Sequence, residues 1–383
     1  MIKNYPMQRI YFTCLFFIST MLLFAQNEVK LQFSTTSTYA GIEVGAKGVK
    51  MSVVEINKGQ KKGSSFQILK DTSINTDFIS FTPASFTATL NAFEEMFIKA
   101  IKVYEIPSDR IVTAISSGVK GQADKENKMQ WVTSLSDSFI NRIAEPKRKV
   151  NIIDAIEEGR LSHLGIVPDA RRYNTFLIDI GSGNAKGGYF PSGNTNDFKF
   201  FQLNWGTKST NNAIEKRCED DKTIQNYIKQ LPRVMASALN NDVIYAVNQS
   251  GAYNMNDYIA FSGGIAWSTA TLLYPELVDN AVVPVTYGEV EKICELLNTK
   301  YASLSADELV KNLDEQSFDK NKIAKEIKRV HQVFDQKALL AGANLLLKIM
   351  RQFQGVYEGK EFYLVKNGQV GWISAYVTQE LTK

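Results

Sequence analysis

From residue 39 the chain alternates apolar and polar positions. Tyr39-Ala40-Gly41-Ile42-Glu43-Val44 runs into Gly45-Ala46-Lys47-Gly48, and Val49-Lys50-Met51-Ser52-Val53-Val54-Glu55-Ile56 alternates again. Period-two patterning on both sides of a glycine-bearing turn predicts a β-hairpin. Lys58-Gly59-Gln60-Lys61-Lys62-Gly63 marks a turn to a third strand at 66–70. Apolar side chains at helical spacing predict a helix over 86–103, and Pro107 closes the link to a short apolar strand at 111–115. A helix at 127–143 and a strand at 150–154 follow. The predicted order is strand, strand, strand, helix, strand, helix, strand.

The same opening returns about 136 residues later. Thr175-Phe176-Leu177-Ile178-Asp179-Ile180 leads into Gly181-Ser182-Gly183-Asn184 and then a strand at 185–190. A third strand at 198–203, helices, a strand at 258–261, Ser262-Gly263-Gly264 and a further helix complete this half. In both copies an acid, Glu43 or Asp179, stands two residues before the first turn glycine. A strand-turn-strand unit repeated in consecutive α/β halves predicts two similar domains facing each other across a cleft.

Glycine turns of this kind present consecutive backbone N–H groups in a concave array that suits phosphate oxygens, and glycine lets a ligand approach without a Cβ in the way. An acid just before such a turn suits magnesium, which keeps several waters when held by one or two carboxylates. Either turn alone is an ordinary hairpin feature. Their pairing, with acids at matching offsets, points to a phosphate site.

Composition changes this picture at the N-terminus. The 44% apolar and 22% charged fractions are those of a globular protein, but residues 1–25 stand apart. Lys3 and Arg9 precede an almost unbroken apolar run at 10–24, with Ala25 as a small residue for cleavage. The run is shorter than the roughly 20 residues of a spanning helix, so a cleaved signal peptide is expected, with export to the periplasm and no stable membrane anchor afterwards. Removing it takes two cations and no acid, so the balance of +4 drops to +2. Neither value marks a DNA-binding protein. Cys218 and Cys294 remain, as one disulfide or as two buried thiols, and with no CxxC pair and only His163 and His331, zinc chemistry is not expected.

At this point the residues resemble a known family, the exopolyphosphatase and guanosine pentaphosphate phosphohydrolase (Ppx/GppA) family, over nearly the whole chain after the leader. The segment 40–50 is similar to its first phosphate motif and Leu177-Ile178-Asp179-Ile180-Gly181-Ser182-Gly183-Asn184 to its second. Ile115-Ser116-Ser117-Gly118-Val119, Glu157-Glu158-Gly159-Arg160-Leu161, 203–210, Phe261-Ser262-Gly263-Gly264-Ile265-Ala266, Ala338-Leu339-Leu340-Ala341-Gly342-Ala343 and 365–371 follow in the family's order. The resemblance implies an α/β fold of two ribonuclease-H-like, actin-like domains facing a central cleft. The expected division is a first domain at 26–168 and a second at 169–383 that includes the C-terminal helices, with 306–350 serving as packing or as a homodimer surface.

The resemblance also implies roles. Glu158 would be the general base on the attacking water, Asp179 with Glu43 would hold Mg2+, and Gly45, Ala46, Lys47, Gly48, Gly181, Ser182, Gly183 and Asn184 would cradle phosphates, with Ser116, Lys208 and Arg160 adding contacts. The expected activity is magnesium-assisted release of terminal phosphate from polyphosphate or a nucleoside polyphosphate. The sequence departs from the family's pattern at Glu43 and Ala46, and most sharply at Lys186, where the family has a second acid. The competing expectation is therefore a catalytically impaired binding protein of the same fold; a kinase of the superfold is a third. Trp205, Trp267, His163, the basic steps at 145–149 and 171–172, and the pair Arg160–Glu157 read as packing or solvated surface.

Overall fold

Two hairpins seed two sheets. The computed structural model describes residues 36–57, 66–191, 193–354, 359–366, 368 and 371–381. The leader at 1–25 and the turn at 58–63 lie outside the described residues. In the first sheet β1 (Thr36–Val44), β2 (Gly48–Asn57) and β3 (Phe66–Asn75) form an antiparallel meander, and β4 (Ile111–Ile115) and β5 (Val150–Ile152) add in parallel, giving the order β3-β2-β1-β4-β5. The second sheet repeats that order. In it β6 (Thr175–Ile180), β7 (Ala185–Tyr189) and β8 (Lys199–Leu203) are the meander, β9 (Tyr258–Ser262) and β11 (Glu361–Val365) are the parallel strands, and β10 (Val282–Val285) is an antiparallel edge, giving β10-β11-β9-β6-β7-β8. These are two ribonuclease-H-like domains, the actin-like arrangement expected.

Between the strands of the first domain lie α1 (Pro83–Lys102), α2 (Ser117–Lys125) and α3 (Met129–Arg142), and α4 (Ala155–Ile166) leads to the second domain. There α5 (Thr207–Arg217), α6 (Ile224–Ala236), α7 (Ala238–Ser250), α8 (Gly264–Leu273), α9 (Tyr287–Thr299), α10 (Ala306–Lys311), α11 (Lys320–Val333) and α12 (Gln336–Gln354) precede the C-terminal α13 (Gly371–Leu381). The expected tail of 306–350 is thus three helices. One face of the first sheet, with Ala40, Ile42, Val44, Met51 and Val53, packs on α1 and α3, where Phe93 stacks on Phe139 at 3.7 Å between ring centres. One face of the second, with Phe176, Ile178 and Ile180, joins a larger core with Leu345, Leu346 and Phe353 of α12.

Because strand side chains alternate, Glu43 and Asp179 must point to the other faces. Those faces are closed by α4 and α13, and the chain order is crossed. α4 follows the first sheet yet Gly159 packs on Gly187 O and Phe200 of the second, while α13 follows the second sheet yet lies on Gly41 of the first. The approach demands glycine, since a Cβ on Gly41 would stand 2.5 Å from Ile373 Cγ1, and one on Gly165 would stand 2.0 Å from Gly371 O. The last helix of the chain therefore completes the first sheet.

Candidate functional site

The first turn closes with Gly45 N donating to Gly48 O at 2.8 Å, and its Lys47 carbonyl accepts from Thr76 N at 2.9 Å. In the second, Gly181 N donates to Asn184 O at 2.9 Å. The carbonyls of that turn are all claimed from one side. Thr207 N donates to Gly181 O at 2.9 Å and Lys208 N to Ser182 O at 2.7 Å, and Ser209 Oγ donates to Gly183 O at 3.0 Å. In a trans peptide the next N–H points opposite to the carbonyl, so docking on the start of α5 turns the amides of Ser182, Gly183 and Asn184 away from that helix. Among the described residues, these amides and those of Ala46 and Lys47 have no backbone acceptor. Gly206 permits the docking, because a Cβ there would lie 2.6 Å from Gly181 O.

Below the turns stands a buried charge cluster. Asp154 caps α4 by accepting from Glu157 N at 2.8 Å, which sets Glu158 in the first helical turn. Its side chain reaches two partners at once: Oε1 lies 2.5 Å from Lys186 Nζ, and Oε2 accepts from Ser117 N, at the start of α2, at 2.7 Å. Lys186, on β7 opposite Asp179, also donates to Ser117 Oγ at 3.1 Å. It points into the cleft, with only 6% of its surface exposed. Asp179 accepts from Ser262 Oγ at 2.8 Å, and Glu43 accepts from Trp372 Nε1 of α13 at 3.2 Å.

Titration follows this geometry. Burial opposes the charge on Lys186, but Glu158, Asp179 and Glu43 outweigh it and raise its pKa. Burial likewise works against ionised Glu158, yet the Lys186 ammonium and the Ser117 hydrogen bonds hold it below the usual carboxylate range. Asp179 is raised by burial despite Lys186 and Ser262. Burial pushes Glu43 up to about 7, against the pull of Lys50.

The acids expected to hold magnesium, Asp179 and Glu43, share their enclosure with the Lys186 ammonium, which is bonded to Glu158, and among the described residues no three His, Cys, Asp or Glu side chains are gathered as a metal would need. This donor set does not fit a dication.

A second group lies at the mouth. Lys208 reaches from the second domain to Asp77 of the first at 3.7 Å, and Lys47 extends over the Phe334 ring at 5.9 Å. Burial and the nearby Lys208 lower the Lys47 pKa against Asp77 and Asp335. Ser116 is buried at the start of α2, its N–H donating to Val44 O at 3.0 Å. The structure thus gathers Glu158, Asp179, Glu43 and Lys186 in one cluster and Lys47 with Lys208 in another.

Other candidates are structural. Arg160 pairs with Glu157 at 2.7 Å and with Gln379 at 2.5 Å, tying α4 to α13. His163 is fully buried with Nε2 3.0 Å from Thr175 O, and burial lowers its pKa to about 4. Trp205 and Trp267 donate to Asp242 and Glu326 at 2.7 Å each. Arg148 is held by Glu145 and Ser108, and Cys218 and Cys294 are both buried free thiols. Ser117 and Trp372 were not anticipated. The small polar pair Ser116-Ser117 at a strand end was the only available signal for the first; nothing local marks the second.

The paired sheets and cleft define a two-domain actin-like protein, and solved structures refine that class. The crystal structure of an Aquifex aeolicus Ppx/GppA family member matches with a TM-score of 0.58 at 16% identity, covering 91% of this chain and 98% of that one. An exopolyphosphatase from Cytophaga hutchinsonii matches with 0.54 at 10% identity over 91% and 99%, and an exopolyphosphatase-like protein with 0.55 at 14% over 90% and 100%. This chain has the fold of the Ppx/GppA structures. No protein-family model and no curated protein matches it.

Proposed function

We propose that this protein binds the phosphate chain of polyphosphate, or of a nucleoside polyphosphate, in the cleft between its domains, without magnesium-dependent hydrolysis. The carrying observation is the buried ion pair between Lys186 and Glu158 at 2.5 Å. A base for water attack needs a free lone pair aimed at water, whereas this carboxylate is committed to an ammonium and to the Ser117 amide. Separating a buried pair leaves an uncompensated charge, at a cost of about 3–5 kcal/mol. The turn amides that have no backbone acceptor among the described residues, with Lys47 and Lys208 nearby, would supply the phosphate contacts. The apolar run at 10–24 supports a role outside the cytoplasm, where polyphosphate is the more suitable ligand than a nucleotide alarmone.

Calorimetry with polyphosphate in the presence of a chelator tests the reading. Binding unchanged by added magnesium is expected, with no sustained phosphate release. A second reading, an exported phosphoanhydride hydrolase, is favoured by one feature: Lys186 puts a fixed positive charge beside the second turn, where it can stand in for part of a metal's charge against phosphate. Steady phosphate release over many turnovers would establish that reading and overturn the first.

A further inference from the structure

We infer that Ser209 is a positioning residue for phosphate recognition: its hydroxyl fixes one peptide of the second glycine turn so that an amide, and not a carbonyl, faces the ligand. The inference rests on the binding reading above and deepens it. Three successive carbonyls of that turn are claimed by the start of α5, but not all by the same kind of donor. Thr207 N donates to Gly181 O at 2.9 Å, and Lys208 N and Ser209 N share Ser182 O at 2.7 and 3.1 Å. Backbone amides make these bonds, so any residue but proline would supply them. Gly183 O is different. Among the described residues its partner is a side chain, Ser209 Oγ at 3.0 Å. In the first turn the corresponding carbonyl, that of Lys47, is taken by the backbone amides of Thr76 and Asp77 at 2.9 and 3.3 Å.

The peptide between Gly183 and Asn184 is also free to turn over. A Cβ on Gly183 would meet nothing within 4 Å, and glycine takes either sign of φ at little cost. Turned over, this peptide would aim the partial negative charge of Gly183 O where the Asn184 amide now points. The Ser209 hydroxyl holds it the other way. The same oxygen accepts from Gly206 N at 2.8 Å and closes the cap of α5, so the side chain is anchored as an acceptor while it donates. Its proton has a second acceptor in Gly206 O at 3.2 Å, and the shorter contact is the one to the turn. Donors at the positive end of α5 polarise the three carbonyls, which strengthens the amides of Ser182, Gly183 and Asn184 as donors to an anion. The field of the helix thus reaches phosphate through the turn, and Ser209 is the side chain that keeps the last peptide aligned with it.

The test uses the full chain, inorganic polyphosphate and a chelator, with calorimetry and amide hydrogen exchange read by mass spectrometry. S209A should bind about three- to tenfold more weakly, the net value of one hydrogen bond, and S209T, which keeps the hydroxyl, should bind within about twofold of the unaltered protein. Polyphosphate should slow exchange at 182–184 in the unaltered chain. In S209A that slowing should shrink while the slowing at 46–47 persists. S209A binding as tightly as the unaltered protein, or S209T binding as weakly as S209A, overturns the positioning role and leaves the binding reading intact. Absence of binding by the unaltered protein overturns both. Exchange on the unaltered chain needs no variant: slowing confined to 46–47 overturns the role even where S209A does not fold.

Discussion

At the scale of single residues, Lys186 decides the character of the cleft. Its ammonium is the counter-charge of buried Glu158 and Asp179, so Lys186→Met leaves two buried acids without it. A loss of about 3–5 kcal/mol is expected, read as a fall in the denaturant midpoint at unchanged slope. Glu43 and His163 pull stability in opposite directions with pH. Glu43 holds a proton in the folded state up to about 7 rather than its ordinary 4.5, so the folded protein binds more protons than the unfolded chain between those values, and stability falls as pH rises through that window. His163, lowered from 6.5 to about 4, is protonated only in the unfolded chain between those values, and stability rises with pH there. Glu43→Gln removes the first effect and leaves the second. Its melting temperature should climb from pH 4.5 to 6.5 more steeply than that of the unaltered protein, and parallel curves would show that Glu43 carries no raised pKa.

At the scale of elements, the two hairpins were legible because each pairs period-two alternation with a glycine turn, and their repetition announced the two domains. Their acids were legible for the same reason, as was the oddity of Lys186. The partner of Lys186 was not, since Glu158 belongs to another domain's helix and proximity of that kind leaves no periodic trace. α2 was missed because its nine residues, SGVKGQADK, offer only Val119 and Ala123 to the core. α13 escaped for the opposite reason: residues 371–377 are all buried, which erases the polar stripe that marks a surface helix. Its seat depends on glycine. Gly41→Val should drive β1 from Ile373 and Val377 and cost about 1–3 kcal/mol by overpacking, measurable by denaturant titration together with a changed fluorescence of Trp372.

At the scale of the whole molecule, the domains touch at the mouth through an exposed pair, Lys208 with Asp77. Such pairs contribute about 0.2–1 kcal/mol. Asp77→Asn should therefore leave the melting temperature nearly unchanged while freeing Lys208 for phosphate. Polyphosphate affinity by calorimetry should rise, by up to about fivefold, the equivalent of that energy; a fall would mean that Asp77 helps to shape the ligand site. The crossing of α4 and α13 has a consequence for biosynthesis. Glu43 meets Trp372 across 329 residues, so the inner face of the first sheet stays open until the end of the chain has left the ribosome. A nascent protein arrested before α13 should remain protease-sensitive at β1, because the helix that covers this face of the sheet has not yet been made.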